Sequence, residues 1–132
     1  MRVLVVDDSP VIRERLVQML STLQGVEQVE TAAHASEATG VIARERPDLV
    51  VLDIHMPGGS GLDVLDAMQA DARRIVSIVL TNDPTTAWRE ASFQAGADFF
   101  FDKSADFQRA VNLIARLAVG KRRSSSSSET PS

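Results

Sequence analysis

Leu49-Val50-Val51-Leu52-Asp53-Ile54-His55-Met56-Pro57-Gly58-Gly59-Ser60-Gly61 is the stretch on which the fold turns. Its first part, 49–54, is apolar apart from Asp53 and too short for a helix. Near-continuous hydrophobic character over such a run reads as a strand buried on both faces. A carboxylate sits at its end, and Pro57 with Gly58, Gly59 and Gly61 then predicts a flexible turn. A strand covered on both faces belongs to a parallel sheet with helices on either side.

The rest of the chain should then alternate strands with helices, and it does. Upstream, Val3-Leu4-Val5-Val6 reads as a strand that runs into Asp7-Asp8. Ser9-Pro10 suits a helix start, since serine can cap and proline fits the first helical position. Ile12, Leu16, Met19, Leu20 and Leu23 follow at helical spacing, and Gly25 closes the segment. Residues 26–33 form a weaker strand carried by Val26 and Val29, and 36–46 a helix stopped by Pro47. Downstream, Leu62, Leu65 and Met68 mark a helix, 75–80 a strand running into Thr81, and 84–94 a helix ended by Gly96. Phe99-Phe100-Phe101 is a short strand before Lys103, with its phenylalanines on alternating faces. Ser104 is expected to cap a last helix with Phe107, Val111, Ile114, Ala115 and Ala118 on its apolar face, and Gly120 to close it. Five strands and five helices in strict alternation predict an α/β fold, a parallel sheet with right-handed crossovers and helices on both faces. The fold expected is a flavodoxin-like (βα)5 three-layer sandwich, whose strand order is 2-1-3-4-5.

At 132 residues the chain suits one domain, 1–119, with a tail, 120–132. The tail carries Lys121-Arg122-Arg123, five serines and Glu129-Thr130-Pro131-Ser132. It has no apolar residue to offset its ordering entropy and is expected to be disordered. A net charge of -4 gives no reason to expect nucleic-acid binding. The absence of cysteine excludes disulfides and thiolate chemistry. No secretory signal opens the sequence and no apolar stretch approaches the ~20 residues needed to cross a bilayer, so a cytoplasmic protein without membrane contact is expected.

In parallel sheets of this type, ligands sit beyond the carboxyl ends of the strands, where strand order reverses. Asp7, Asp8, Asp53, Thr81 and Lys103 all stand at or just past such ends. Three acids in one place raise each other's pKa unless a cation joins them. Oxygen-only ligands favour a hard cation such as Mg²⁺, which takes readily to a phosphate partner.

At these residues the chain closely resembles the receiver domain of two-component response regulators. The motifs are Val5-Val6-Asp7-Asp8, then Val51-Leu52-Asp53-Ile54-His55-Met56-Pro57 through Gly61, then Thr81, then Gly96-Ala97-Asp98-Phe99-Phe100-Phe101-Asp102-Lys103. The resemblance implies that Asp53 accepts a phosphoryl group from a phosphohistidine of a histidine kinase or phosphotransfer protein. It implies Mg²⁺ bound by Asp8, Asp53 and the His55 carbonyl, with Asp7 acting mainly through a metal-bound water. Phosphoryl transfer needs charge on three equatorial oxygens neutralised. Mg²⁺, Lys103 and the Thr81 hydroxyl would take one each. Thr81 and Phe100 would form the switch, changing a surface built by the fourth helix, fifth strand and fifth helix. The resemblance implies no enzyme beyond self-phosphorylation and slow dephosphorylation. It also implies a downstream protein target and allows a phosphorylation-dependent homodimer.

Four departures from the common family pattern stand out. Asn82 replaces the usual small residue after Thr81 and bears on acyl-phosphate lifetime. Ser104 stands where proline is frequent, Gly58-Gly59 frees the loop after Asp53, and Phe100 lacks a tyrosine hydroxyl. Plainer roles exist for several residues. Asp7 and Asp8 could be helix-start carboxylates, Thr81 a loop cap and Lys103 a surface lysine. His55 and Asp83 could tune acyl-phosphate hydrolysis or simply face solvent, and His34 is expected at the surface before a helix. Trp88 reads either as a packing residue or as an anchor on a partner surface. Two rival functions are a phosphorylation-independent interaction module with a vestigial acidic site, and an aspartyl-nucleophile phosphohydrolase. The second would need a cap segment, and every loop is short.

Overall fold

A computed structural model describes residues 1–56, 59–71 and 73–127. The main sheet is built from β1 (Arg2–Val6), β2 (Gln28–Ala32), β3 (Leu49–Leu52), β6 (Val76–Thr81) and β7 (Phe99–Asp102). Between β3 and β6 lies a small antiparallel hairpin, β4 (His55–Met56) with β5 (Gly59–Ser60). The helices are α1 (Pro10–Ser21), α2 (Ala35–Glu45), α3 (Gly61–Gln69), α4 (Thr86–Gln94) and α5 (Phe107–Ser127). The sheet order is β2-β1-β3-β6-β7, all parallel. Numbered over the main strands alone this is 2-1-3-4-5, the order expected of a flavodoxin-like sheet.

Side chains two apart on a strand share a face. Val3, Val5, Leu49, Val51, Ile78 and Leu80 therefore meet Leu16 and Leu20 of α1 and Phe107, Val111 and Ile114 of α5. Leu4, Val6, Val50, Leu52 and Val79 turn the other way, onto Ala38, Val41 and Ile42 of α2 and Val64, Leu65 and Met68 of α3. β1 and β3 are buried on both faces, which accounts for their unbroken apolar sequence. The turn after α1 packs directly on α5. Gly25 has φ +93°, and a Cβ there would come within 2.7 Å of the Ala118 carbonyl oxygen.

Several helix starts follow their capping chemistry. Ser9 Oγ accepts from Ile12 N–H with Pro10 at the first turn, Ser60 and Asp63 form a capping box, and Thr85 accepts from Trp88 N–H. His34, expected at the surface before a helix, is exposed there and is itself the N-cap of α2, its Nδ1 accepting from Glu37 N–H at 3.3 Å.

Three local expectations are corrected. Ser104 does not cap the last helix. It lies in a turn tied to Asp102 Oδ1 at 2.8 Å, and α5 begins at Phe107, after Asp106, whose carbonyl accepts from Ala110 N–H. Nor does Gly120 close that helix, which runs to Ser127. Gly120 does not take the left-handed conformation that ends helices, and lysine and arginine after it are good helix formers. Finally, Gly59 is not part of a free loop but pairs with Met56 in the hairpin. Pro57 and Gly58 of the predicted turn, and residues 128–132 of the predicted disordered tail, lie outside the described residues.

Candidate functional site

The sheet register assembles the site. Val6 pairs with Leu52, so the next residues, Asp7 and Asp53, emerge side by side, and Asp53 N–H donates to the Val6 carbonyl at 3.0 Å. Thr81 pairs with Asp102, and Lys103 N–H donates to the Thr81 carbonyl at 2.8 Å. Four of the residues named from sequence are thereby placed along one edge by backbone pairing alone.

Their side chains converge. Lys103 Nζ donates to Asp7 Oδ2 at 2.6 Å and to Asp53 Oδ2 at 2.8 Å, and all three side chains are buried. Asp7 Oδ1 also accepts from Ser9 N–H at 2.9 Å. Asp53 Oδ1 accepts from His55 N–H at 3.3 Å. Asp8 is exposed, yet Asp7, Asp8 and Asp53 each offer an oxygen within 4.8 Å of the others. One ammonium faces three carboxylates, leaving negative charge in excess at a point open to solvent through Asp8. Beside it, Asp8, His55, Met56 and Ser60 border an open cavity of about 370 Å³. An all-oxygen set with surplus negative charge is the chemistry that a hard divalent cation satisfies, and Mg²⁺ fits it.

Burial pushes the Asp7 carboxyl above the usual carboxylate range, against the pull of its bonds from Lys103 and Ser9 N–H. For Lys103, burial weakens the hold on its proton. Hydrogen bonds to Asp53 and Asp7 and their charges outweigh this, so its pKa lies above the ordinary lysine value.

The hairpin anchors the segment after Asp53. Gly61 N–H donates to the Ile54 carbonyl at 2.8 Å. A Cβ on Gly61 would collide with the Asp53 carbonyl oxygen, so α3 can start this close to the site only from glycine.

Thr81 is fully buried at the end of β6, and its Oγ1 accepts from Asp83 N–H at 3.1 Å. Phe100 is half-buried on the opposite face from Phe99 and Phe101. Its ring lies 6.4 Å from that of Phe93, and the Arg89 guanidinium stands 5.8 Å from its centroid.

His55 and Asp83 do not face solvent separately. His55 Nε2 lies 3.0 Å from Asp83 Oδ2, and the imidazole packs on Trp88, which is itself half-buried. The link from the loop after β3 to α4 was not legible in the sequence, where its members are 28 and 33 positions apart and no periodicity joins them. Arg13, whose Nη1 donates to the Asp7 carbonyl at 2.7 Å, was likewise unforeseen.

Comparison with known proteins agrees with this geometry. The family model for the response regulator receiver domain matches residues 3–115. The response regulator MprA of Mycobacterium sp. (strain KMS) is 38% identical over 124 residues, which are 94% of this chain and 52% of that relative. The chain thus spans about half the length of such relatives. A CheY-like receiver domain protein from Methanospirillum hungatei JF-1 superposes with a TM-score of 0.80 at 27% identity, over 93% of this chain and 97% of that one. The response regulator TrrA of Thermotoga maritima, solved with Mg²⁺ and beryllofluoride, does so with a TM-score of 0.74 at 36% identity, over 88% of this chain and 97% of that one. The parallel sheet, the carboxylate cluster at its carboxyl edge and the matched sequence together place this chain in the response regulator receiver domain family.

Proposed function

We propose that the chain is a phosphoacceptor, taking a phosphoryl group onto Asp53 from a histidine kinase or a histidine phosphotransfer protein in the cytoplasm. The observation that supports this most is the position of Lys103 Nζ between Asp7 and Asp53. It holds Asp53 in place and puts a fixed cation where charge on the transferred group must be met. Asp8, Asp53 and the His55 carbonyl would hold Mg²⁺, with Asp7 behind them. The ion would supply charge neutralisation on the phosphoryl oxygens. An Asp53 oxygen attacks phosphorus as the phosphorus–nitrogen bond of the donor breaks, and the imidazole nitrogen leaves with the electron pair. Lys103 and the Thr81 hydroxyl then bind the remaining phosphoryl oxygens.

The new charge, roughly -1.5 to -2, would bias a two-state equilibrium through Thr81 and Phe100. Its readout is the face formed by α4, β7 and α5, near Trp88, which docks a downstream protein and not nucleic acid. Turnover is confined to the chain's own phosphorylation and slow dephosphorylation. Incubation with a small phosphodonor and Mg²⁺ should add one phosphate to wild type and none to Asp53→Asn, read by intact mass. Equal labelling of both proteins would remove the mechanism.

A further inference from the structure

Every polar group of Asp7 is bonded. Its N–H donates to the Ala32 carbonyl at 3.1 Å, its carboxylate oxygens accept from Ser9 N–H and Lys103 Nζ, and its carbonyl accepts from Arg13 Nη1 at 2.7 Å. Asp8 is the opposite case. It is exposed, and among the described residues neither its backbone N–H nor its carboxylate has a hydrogen-bond or ion-pair partner. The Asp7 carbonyl and the Asp8 N–H are the two ends of one planar peptide. Whatever holds the carbonyl therefore holds the plane from which Asp8 departs. Among the described residues no backbone N–H meets that carbonyl, and the Arg13 guanidinium is its hydrogen-bond partner. The start of α1 brings Arg13 there, since its own N–H donates to the carbonyl of the capping Ser9 at 3.0 Å. The side chain is half-buried, and among the described residues no carboxylate lies at ion-pair distance from it.

We infer that Arg13 is a positioning residue for the cation site. It acts through the Asp7–Asp8 peptide and keeps the Asp8 carboxylate where one oxygen stands within 4.8 Å of those of Asp7 and Asp53. The inference deepens the proposed Mg²⁺ site and rests on that reading. A ligand ordered in advance loses less freedom when the ion binds. Groups that orient metal ligands matter by about 10–100-fold in metal affinity. A second effect opposes this one. The guanidinium is a cation beside a site for a cation, and its charge weakens Mg²⁺ binding. Making Arg13 neutral therefore changes affinity in opposite directions by the two effects. Water and salt screen the charge of a partly exposed group, whereas the bond to the carbonyl of buried Asp7 is a direct contact. Positioning prevails, and the low end of the range is expected.

The test is Mg²⁺ titration of the full chain without phosphodonor, read by backbone amide chemical shifts. R13M should raise the Kd for Mg²⁺ about tenfold. R13K keeps the charge and one donor, which suffices for a single bond, and should stay within about threefold of wild type. Without metal, the Asp8 amide should have a lower order parameter in R13M than in wild type. Phosphodonor labelling of R13M should be slow at low Mg²⁺ and reach the wild-type rate at saturating Mg²⁺. R13Q, with the same expectations, replaces R13M if circular dichroism shows R13M unfolded. Equal or tighter Mg²⁺ binding by the neutral variant, an unchanged Asp8 amide, failure of lysine to rescue, or labelling that stays slow at saturating Mg²⁺ would each overturn the inference. The two readings separate cleanly. If wild type binds Mg²⁺ and the neutral variant binds it as tightly, the role of Arg13 fails alone. If wild type binds no Mg²⁺, the cation site fails and the role of Arg13 with it.

Discussion

The imidazole of His55 stands edge-on to the indole of Trp88, with ring centroids 4.9 Å apart and planes at 88°. His55 belongs to the segment after Asp53 and Trp88 to α4, so one ring contact joins the site to a helix of the expected output face. The Asp83 carboxylate, also bonded to His55, holds the imidazole in that orientation.

Trp88 is the only tryptophan, so its emission reports on this contact. Thr81 Oγ1 accepts from Asp83 N–H, and a shift of Thr81 toward a bound phosphoryl group would move Asp83 and the ring it holds. Mg²⁺ with beryllofluoride should therefore change wild-type fluorescence saturably, change Asp53→Asn not at all, and change His55→Ala less than wild type. A constant wild-type signal under conditions that label Asp53 would refute the coupling.

Lys103→Met removes the ammonium that Asp7 and Asp53 share in a buried position. Leaving two carboxylates without it should cost about 3 kcal/mol, the low end for breaking a buried pair because the site is open through Asp8. Urea titration reads the loss. Mg²⁺ should restore part of the stability, and failure of Mg²⁺ to shift the variant's midpoint would argue against a cation site.

The raised pKa of Asp7 sets the sign of a pH effect. The native carboxyl keeps its proton above 3.8, the ordinary value expected for the unfolded chain, so the native state binds more protons in that window. By linkage, this group's contribution to stability falls as pH rises from 3.8 through its native pKa. Asp7→Asn, which has no carboxyl to titrate, should remove that fall. Its amide nitrogen must face either the Lys103 ammonium or the Ser9 N–H, a donor against a donor, so it loses one of the two hydrogen bonds that Asp7 accepts, and it should bind Mg²⁺ more weakly. Lys103 acts at the other extreme, its contribution being present below 10.5 and lost as pH rises through its higher native pKa. Urea midpoints measured across pH with and without Mg²⁺ check both signs.

Gly61→Ala should damage stability and phosphorylation together. The added Cβ meets the Asp53 carbonyl oxygen and comes within 3.0 Å of Ile54 Cα, both backbone atoms that cannot turn aside. A cost of about 1–3 kcal/mol is expected for such overpacking. Phosphodonor labelling should slow as the Asp53 segment shifts, and unchanged labelling would show that the hairpin does not position the site.

Parallel β-strands buried on both faces write themselves into sequence as short apolar runs, and residues at their carboxyl ends must meet at one edge. For that reason the parallel sheet and the gathering of Asp7, Asp8, Asp53, Thr81 and Lys103 at one edge were legible from the chain, while the strand order was that of the flavodoxin-like fold expected. Helix boundaries were less so. Ser104 and Asp106 are both competent caps, and the choice fell to the turn after β7, in which Ser104 N–H donates to Asp102 Oδ1 and Asp102 N–H to Asp106 Oδ2. Gly120 carries a stop signal only when its backbone turns left-handed.

What the sequence by itself determined is which residues share an edge, because register and alternation follow from burial, a local property of each strand. The pairing of His55 with Asp83 and Trp88, the seating of Lys103 between two carboxylates, and the approach of Arg89 to the Phe100 ring were decided by tertiary structure. Those contacts depend on where helices and loops lie against the sheet, which is set by packing between segments distant along the chain and leaves no periodic mark in any one of them.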